Sequence, residues 1–126
     1  MKIRIRGNSI RLRLTQHEVE LLSSGQKIKE STQFSLVHKL EYALQPWHLN
    51  IIEASLENHS LTISVPADML AKWSESNEEG LYGEQSNGTD SPLKIAIEKD
   101  YACLKPRDGE DESDHFPHPE SGTSKC

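Results

Sequence analysis

Two cysteines, one of them the final residue, are too few for a disulfide framework, and the cytoplasm is the expected compartment. Nowhere do about 18 apolar residues run together, so no membrane helix is expected. The opening residues alternate cations with aliphatics and lack the apolar stretch of a secretory leader, so none is expected there. Hydrophobic residues make up only 34% of the chain, and they are unevenly spread. Residues 103–126 hold just Cys103, Leu104, Phe116 and Cys126, so that stretch cannot build a core, whereas the first hundred residues can.

One further absence is more informative. Residues 1–14, MKIRIRGNSIRLRL, contain no acid, while the remaining 112 carry 9 basic and 20 acidic groups. Ile3 and Ile5 alternate with Lys2, Arg4 and Arg6; beyond Gly7-Asn8-Ser9, Ile10, Leu12 and Leu14 alternate with Arg11 and Arg13. Alternation with a period of two places one residue set on each side of a strand, so this segment predicts a hairpin with an aliphatic face and a five-cation face. Like charges facing one another across strands repel, and such a face calls for an anionic counterpart. Local carboxylates such as Glu41 or Glu53 are candidates, with the arginine stems covering apolar surface. The sharper expectation is a site for a phosphate, a carboxylate or an acidic protein segment, which arginine forks bind bidentately, built from Lys2, Arg4, Arg6, Arg11 and Arg13. The net charge of −6 argues against general nucleic-acid binding.

Past the hairpin, Thr15-Gln16-His17-Glu18 fits a capping box, with Leu14 and Val19 placed as a hydrophobic staple and Gly25 as the exit. A helix over about 16–24 burying Val19 and Leu22 follows from these signals. Residues 26–44 return to strand periodicity: Phe34, Leu36, Leu40, Tyr42 and Leu44 share one face, His38 with them as a hydrogen-bonded core residue. Pro46 and Trp47 interrupt that pattern. A second hairpin is expected over residues 48–65 with its turn at Asn58-His59, then a short helix opening at Pro66 and burying Met69, Leu70 and Trp73. Residues 74–92 read as loop, with a brief strand at Leu81-Tyr82, and residues 93–101 as the last strand. No internal repeat is evident. These elements predict one α+β domain over residues 1–102: a mostly antiparallel sheet of six or seven strands with two short helices.

The acidic stretch that follows, with Asp108, Glu110, Asp111, Glu112 and Asp114 close together, ends on Phe116 flanked by prolines. Segment 103–119 is expected to dock on the domain through Phe116, with its acids near the basic hairpin face, and 120–126 to be disordered. Cys103, Asp114, His115 and His118 are weak candidates for a zinc site, since thiolate, imidazole and carboxylate all ligate zinc but this spacing matches no compact module. The alternatives to a non-enzymatic binding module are a metal- or thiol-dependent enzyme built on those four residues and a structural or assembly protein. No motif calls for a cofactor.

The opening MKIRIRGNSIRLRLTQHEVELL, together with IAIEKDYACL and EDESDHFPHP, resembles a family of short uncharacterised bacterial proteins classed as a domain of unknown function. The resemblance implies a bacterial, cytoplasmic, single-domain protein in which residues 103–119 belong to the folded unit. It supplies no catalytic or ligand-binding residue.

Overall fold

The computed structural model describes residues 1–102 and 113–117. Its strands are β1 (Lys2–Arg6), β2 (Ser9–Leu14), β3 (Ile28–Gln33), β4 (Lys39–Trp47), β5 (Glu53–Glu57), β6 (Ser60–Pro66), β7 (Gly80–Gln85) and β8 (Leu93–Lys99); the helices are α1 (Gln16–Ser23) and α2 (Ala67–Ser74). The chain is α+β, but the eight strands form two four-stranded mixed sheets, ordered β1-β2-β8-β7 and β3-β4-β6-β5, rather than one antiparallel sheet. The outer pairs of each sheet are antiparallel hairpins, and the central pairs, β2 with β8 and β4 with β6, are parallel.

The expectation of no repeat is also overturned. The element order divides into two ββαββ units, β1β2α1β3β4 and β5β6α2β7β8, which exchange hairpins so that each sheet takes one hairpin from each unit. Lys2–Ser23 aligns on Glu53–Ser74 without a gap, and the buried positions coincide: Ile10 with Leu61, Leu12 with Ile63, Leu14 with Val65, Val19 with Leu70 and Leu22 with Trp73. Only Ser9/Ser60 and Ser23/Ser74 are identical in that alignment, so the repeat survives in side-chain volume and polarity and not in residue identity.

Local chemistry explains the boundaries. Both β-turns use positive φ, at Gly7 (54°) and at Asn58 (47°) and His59 (67°), the backbone that lets two-residue hairpins follow the strand twist. The Thr15 hydroxyl accepts from the Glu18 amide at 3.3 Å while Glu18 accepts from the Thr15 amide at 3.0 Å, completing the capping box. Pro46 does not end β4. Pairing with β3 stops at Leu44, so Pro46 sits where one side of the strand is open and its missing N–H costs no ladder bond. The 26–44 stretch is a hairpin whose tip is residues 34–38. The Phe34 amide bonds the His38 carbonyl at 2.9 Å, which turns Phe34, Leu36 and Val37 out to solvent at 71%, 101% and 82% exposure, and His38 is exposed as well instead of lying in the core.

The core lies between the inner sheet faces and the helices. Trp73, Leu12, Leu14, Leu22, Leu44, Ile63, Leu70, Ile95 and Ile97 are almost fully buried in it. No helix among the described residues is long and apolar enough to cross a membrane.

Candidate functional site

The outer face of the β1-β2-β8-β7 sheet collects the basic residues of the first hairpin and adds residues from the end of the chain. Strand register arranges them in three rows: Arg6, Ser9, Lys94, Glu84; then Arg4, Arg11, Ala96, Tyr82; then Lys2, Arg13, Glu98, Gly80. Small residues in the middle of the first two rows leave a groove of about 710 Å³, lined by Arg4, Arg6, Arg11, Lys94, Tyr82 and Glu84 among others. A cavity of that size matches the usual range for small ligands, about 300–1,000 Å³.

The five hairpin cations are therefore not equivalent. Arg11 and Arg13 both turn their Nε toward the buried Glu98 carboxylate, at 3.2 and 3.7 Å, and Lys2 pairs with Asp100 at 3.3 Å. Glu41, expected as a neutralising partner, instead faces Lys29 and Lys39 on the other sheet. Among the described residues no carboxylate stands within ion-pair distance of Arg4, Arg6 or Lys94. Tyr82 forms a wall of the groove and donates its hydroxyl to Glu98 at 2.8 Å. Burial, that hydrogen bond and the Glu98 charge push its phenol up to about 12. Gly80 makes room for Glu98: a Cβ there would meet the Ile97 carbonyl at 2.7 Å and the Glu98 Cγ at 2.8 Å.

Lys94, Tyr82 and Glu98 were not singled out from sequence. Their signal was present, since Leu93, Ile95 and Ile97 point inward and so Lys94, Ala96 and Glu98 point outward, but nothing local says that β8 lies beside β2.

At the other end of this sheet, residues 113–117 lie against the body. The Gln16 amide donates to the Asp114 carbonyl at 3.0 Å, the Phe116 amide to the Asp100 carbonyl at 2.9 Å and the Ala102 amide to the Phe116 carbonyl at 2.7 Å. Phe116 is part-buried against the core, and its ring and that of Trp73 flank the Lys99 ammonium at 5.5 and 5.6 Å. Burial lowers the Lys99 pKa from its ordinary value. The buried His115 ring approaches Asp100 at 3.4 Å. Asp114 and His115 are thus held by the docked turn, while Cys103, His118, Asp108, Glu110, Asp111, Glu112 and the 120–126 tail lie outside the described residues. Among the described residues no group of three or more His, Cys, Asp or Glu is placed to hold a metal ion.

Fold and face together define a duplicated ββαββ protein with one strongly basic outer sheet face. By sequence it belongs to a family of unknown function, DUF7009, whose model matches residues 1–120. No curated protein and no solved structure matches the chain.

Proposed function

We propose that the protein is a non-enzymatic binding module whose basic sheet face takes an anionic ligand or an acidic protein segment. The observation that supports this reading is the comparison of the two sheets. They share one backbone plan, and the positions of Arg4, Arg6, Arg11 and Lys94 on the first correspond to Ser55, Glu57, Thr62 and Glu41 on the second. The same backbone plan thus stands with hydroxyls and acids at these sites on the second sheet, so the plan by itself does not demand cations on the first. Four cations around one groove, three of them without a carboxylate partner among the described residues, create a positive potential that recruits anions.

Titration with poly-glutamate and with inorganic pyrophosphate tests the reading. Arg4→Ala/Arg6→Ala is expected to weaken binding at least about tenfold, the loss of one or two charge-assisted hydrogen bonds. Lys29→Ala, on the opposite sheet, is expected to leave it unchanged. Equal affinities for all three proteins would overturn the proposal.

A further inference from the structure

Resting on that reading, we infer that the partner is an extended acidic segment of another protein, one alternating acidic with aliphatic residues, which adds as a fifth strand to the open edge at β1. The backbone of the first hairpin determines which groups face outward. Arg6 and Ser9 close the two-residue turn and form a hydrogen-bonded pair, so alternation along the ladder makes Arg4–Arg11 and Lys2–Arg13 bonded pairs as well. The N–H and C=O groups of Ile3 and Ile5 therefore point away from β2, along the edge.

The second unit shows what happens to the same groups where an edge is sealed. There the turn is closed by Glu57 and Ser60, so Ala54, the counterpart of Ile3, presents its backbone outward. Gln85 takes both of its groups: its side-chain oxygen accepts from the Ala54 amide at 2.7 Å and its nitrogen donates to the Ala54 carbonyl at 2.9 Å. Ile52 further packs on that seam against Gly83. At β1 the residue in the place of Gln85 is Thr32, and among the described residues no group bonds the backbone of Ile3 or Ile5. Among the described residues the direct polar link at that seam is the Met1 ammonium, which donates to Glu18 at 2.6 Å and to Glu30 at 3.1 Å.

Side chains on the two faces of β1 specify what the added strand must carry. On the outer face stand Lys2, Arg4 and Arg6, and Arg4 and Arg6, which have no carboxylate partner among the described residues, are on this edge strand. On the inner face Ile5 is 62% exposed and continues the aliphatic surface of Ile10. A strand laid against β1 with acids outward and aliphatics inward meets both demands, with backbone bonds providing affinity and alternate side chains providing selectivity. A second copy offers a poorer fit, because its β1 repeats the cations and its acidic β5 edge is already engaged by Gln85.

The test uses the full chain and a peptide of alternating glutamate and valine. Controls are a block-ordered peptide of the same composition and versions N-methylated on one or the other set of alternate amides. The alternating peptide is expected to bind at least about tenfold tighter than the block-ordered one, as two or more interstrand hydrogen bonds would give. N-methylation is expected to abolish that advantage on one amide set only. Ile3 and Ile5 amides should gain hydrogen-exchange protection in the complex, and Ile5→Lys, at an exposed position, should weaken the alternating peptide without unfolding the protein. If all acidic peptides bind alike and Arg4→Ala/Arg6→Ala weakens them equally, strand addition is overturned while the anion-binding reading stands. If no acidic peptide binds, the inference falls, and the anion-binding reading falls with it only if pyrophosphate also fails to bind. Self-association abolished by Ile5→Lys, with no peptide binding, would overturn the inference in favour of a second copy.

Discussion

Tyr82 donates its hydroxyl to Glu98 at 2.8 Å from the neighbouring strand, and the same carboxylate faces Arg11 and Arg13. One acid thus holds the groove wall and restrains one groove cation, Arg11, and its neighbour Arg13. Tyr42 and Tyr101 share the direction of the Tyr82 shift: burial raises both, reinforced by hydrogen bonding to Glu30 for Tyr42 and by the charge of Glu79 for Tyr101. These are the three tyrosines of the chain. Ultraviolet titration should therefore show phenolate appearing above pH 10 in the folded protein, the last near pH 12, and all of it moving to about pH 10 in denaturant. Between those limits the folded tyrosines hold more protons than the unfolded ones, so their contribution to stability is full below pH 10 and falls as pH rises toward 12. Phenolate at its ordinary pH in the folded chain would refute this.

Glu98→Gln removes the negative charge that Arg11 and Arg13 now face. Affinity for poly-glutamate should rise, with a steeper salt dependence, because Arg11 in the groove and Arg13 beside it no longer face a carboxylate. Stability should fall by about 1–3 kcal/mol, since the buried site loses its charge-assisted bonds. Calorimetric titration and urea unfolding measure the two effects, and they should move in opposite directions.

Leu22 and Trp73 hold equivalent positions in the two units, each about 1% exposed. Leu22→Ala should cost about 2–5 kcal/mol and Trp73→Ala about 3–5 kcal/mol by the cavities they leave. Since α1 packs on α2, the double variant should depart from the sum, and a denaturant double-mutant cycle reads the difference.

Phe116→Ala should detach the turn at 113–117. The Gln16 and Ala102 amides, both bonded to carbonyls of that turn, should lose hydrogen-exchange protection together. Deep-core amides such as Ile97 should change little. Independent behaviour of Gln16 and Ala102 would show that the turn is not held as one piece.

The local signals in the sequence were easiest to interpret. The Thr15–Glu18 capping box, the Asn58-His59 turn and the alternation of the first hairpin depend on residues within a few positions of each other, and each corresponds to an element seen here. Sheet assembly depends on distant partners. The parallel joins of β2 to β8 and β4 to β6 leave no local mark, so eight strands in two mixed sheets could not be distinguished from one antiparallel sheet. Phe34 and Leu36 keep strand periodicity yet lie in an exposed turn, because hydrophobicity alone does not reveal whether a surface exists to cover them. The cations of the first hairpin were visible at once, but their division by Glu98 and Asp100 required the last strand to be placed beside them.

The hairpin exchange also sets an order of events during synthesis. Strands β1 and β2 leave the ribosome before the other described strands and receive their parallel neighbour only when β8 appears, since Ser9 pairs with Lys94. At usual translation rates the intervening residues take roughly 4–17 s to make. Throughout that interval Ile10, Leu12 and Leu14 have no sheet partner on that side, so the sheet that carries the groove is completed only with β8, the last of the eight described strands.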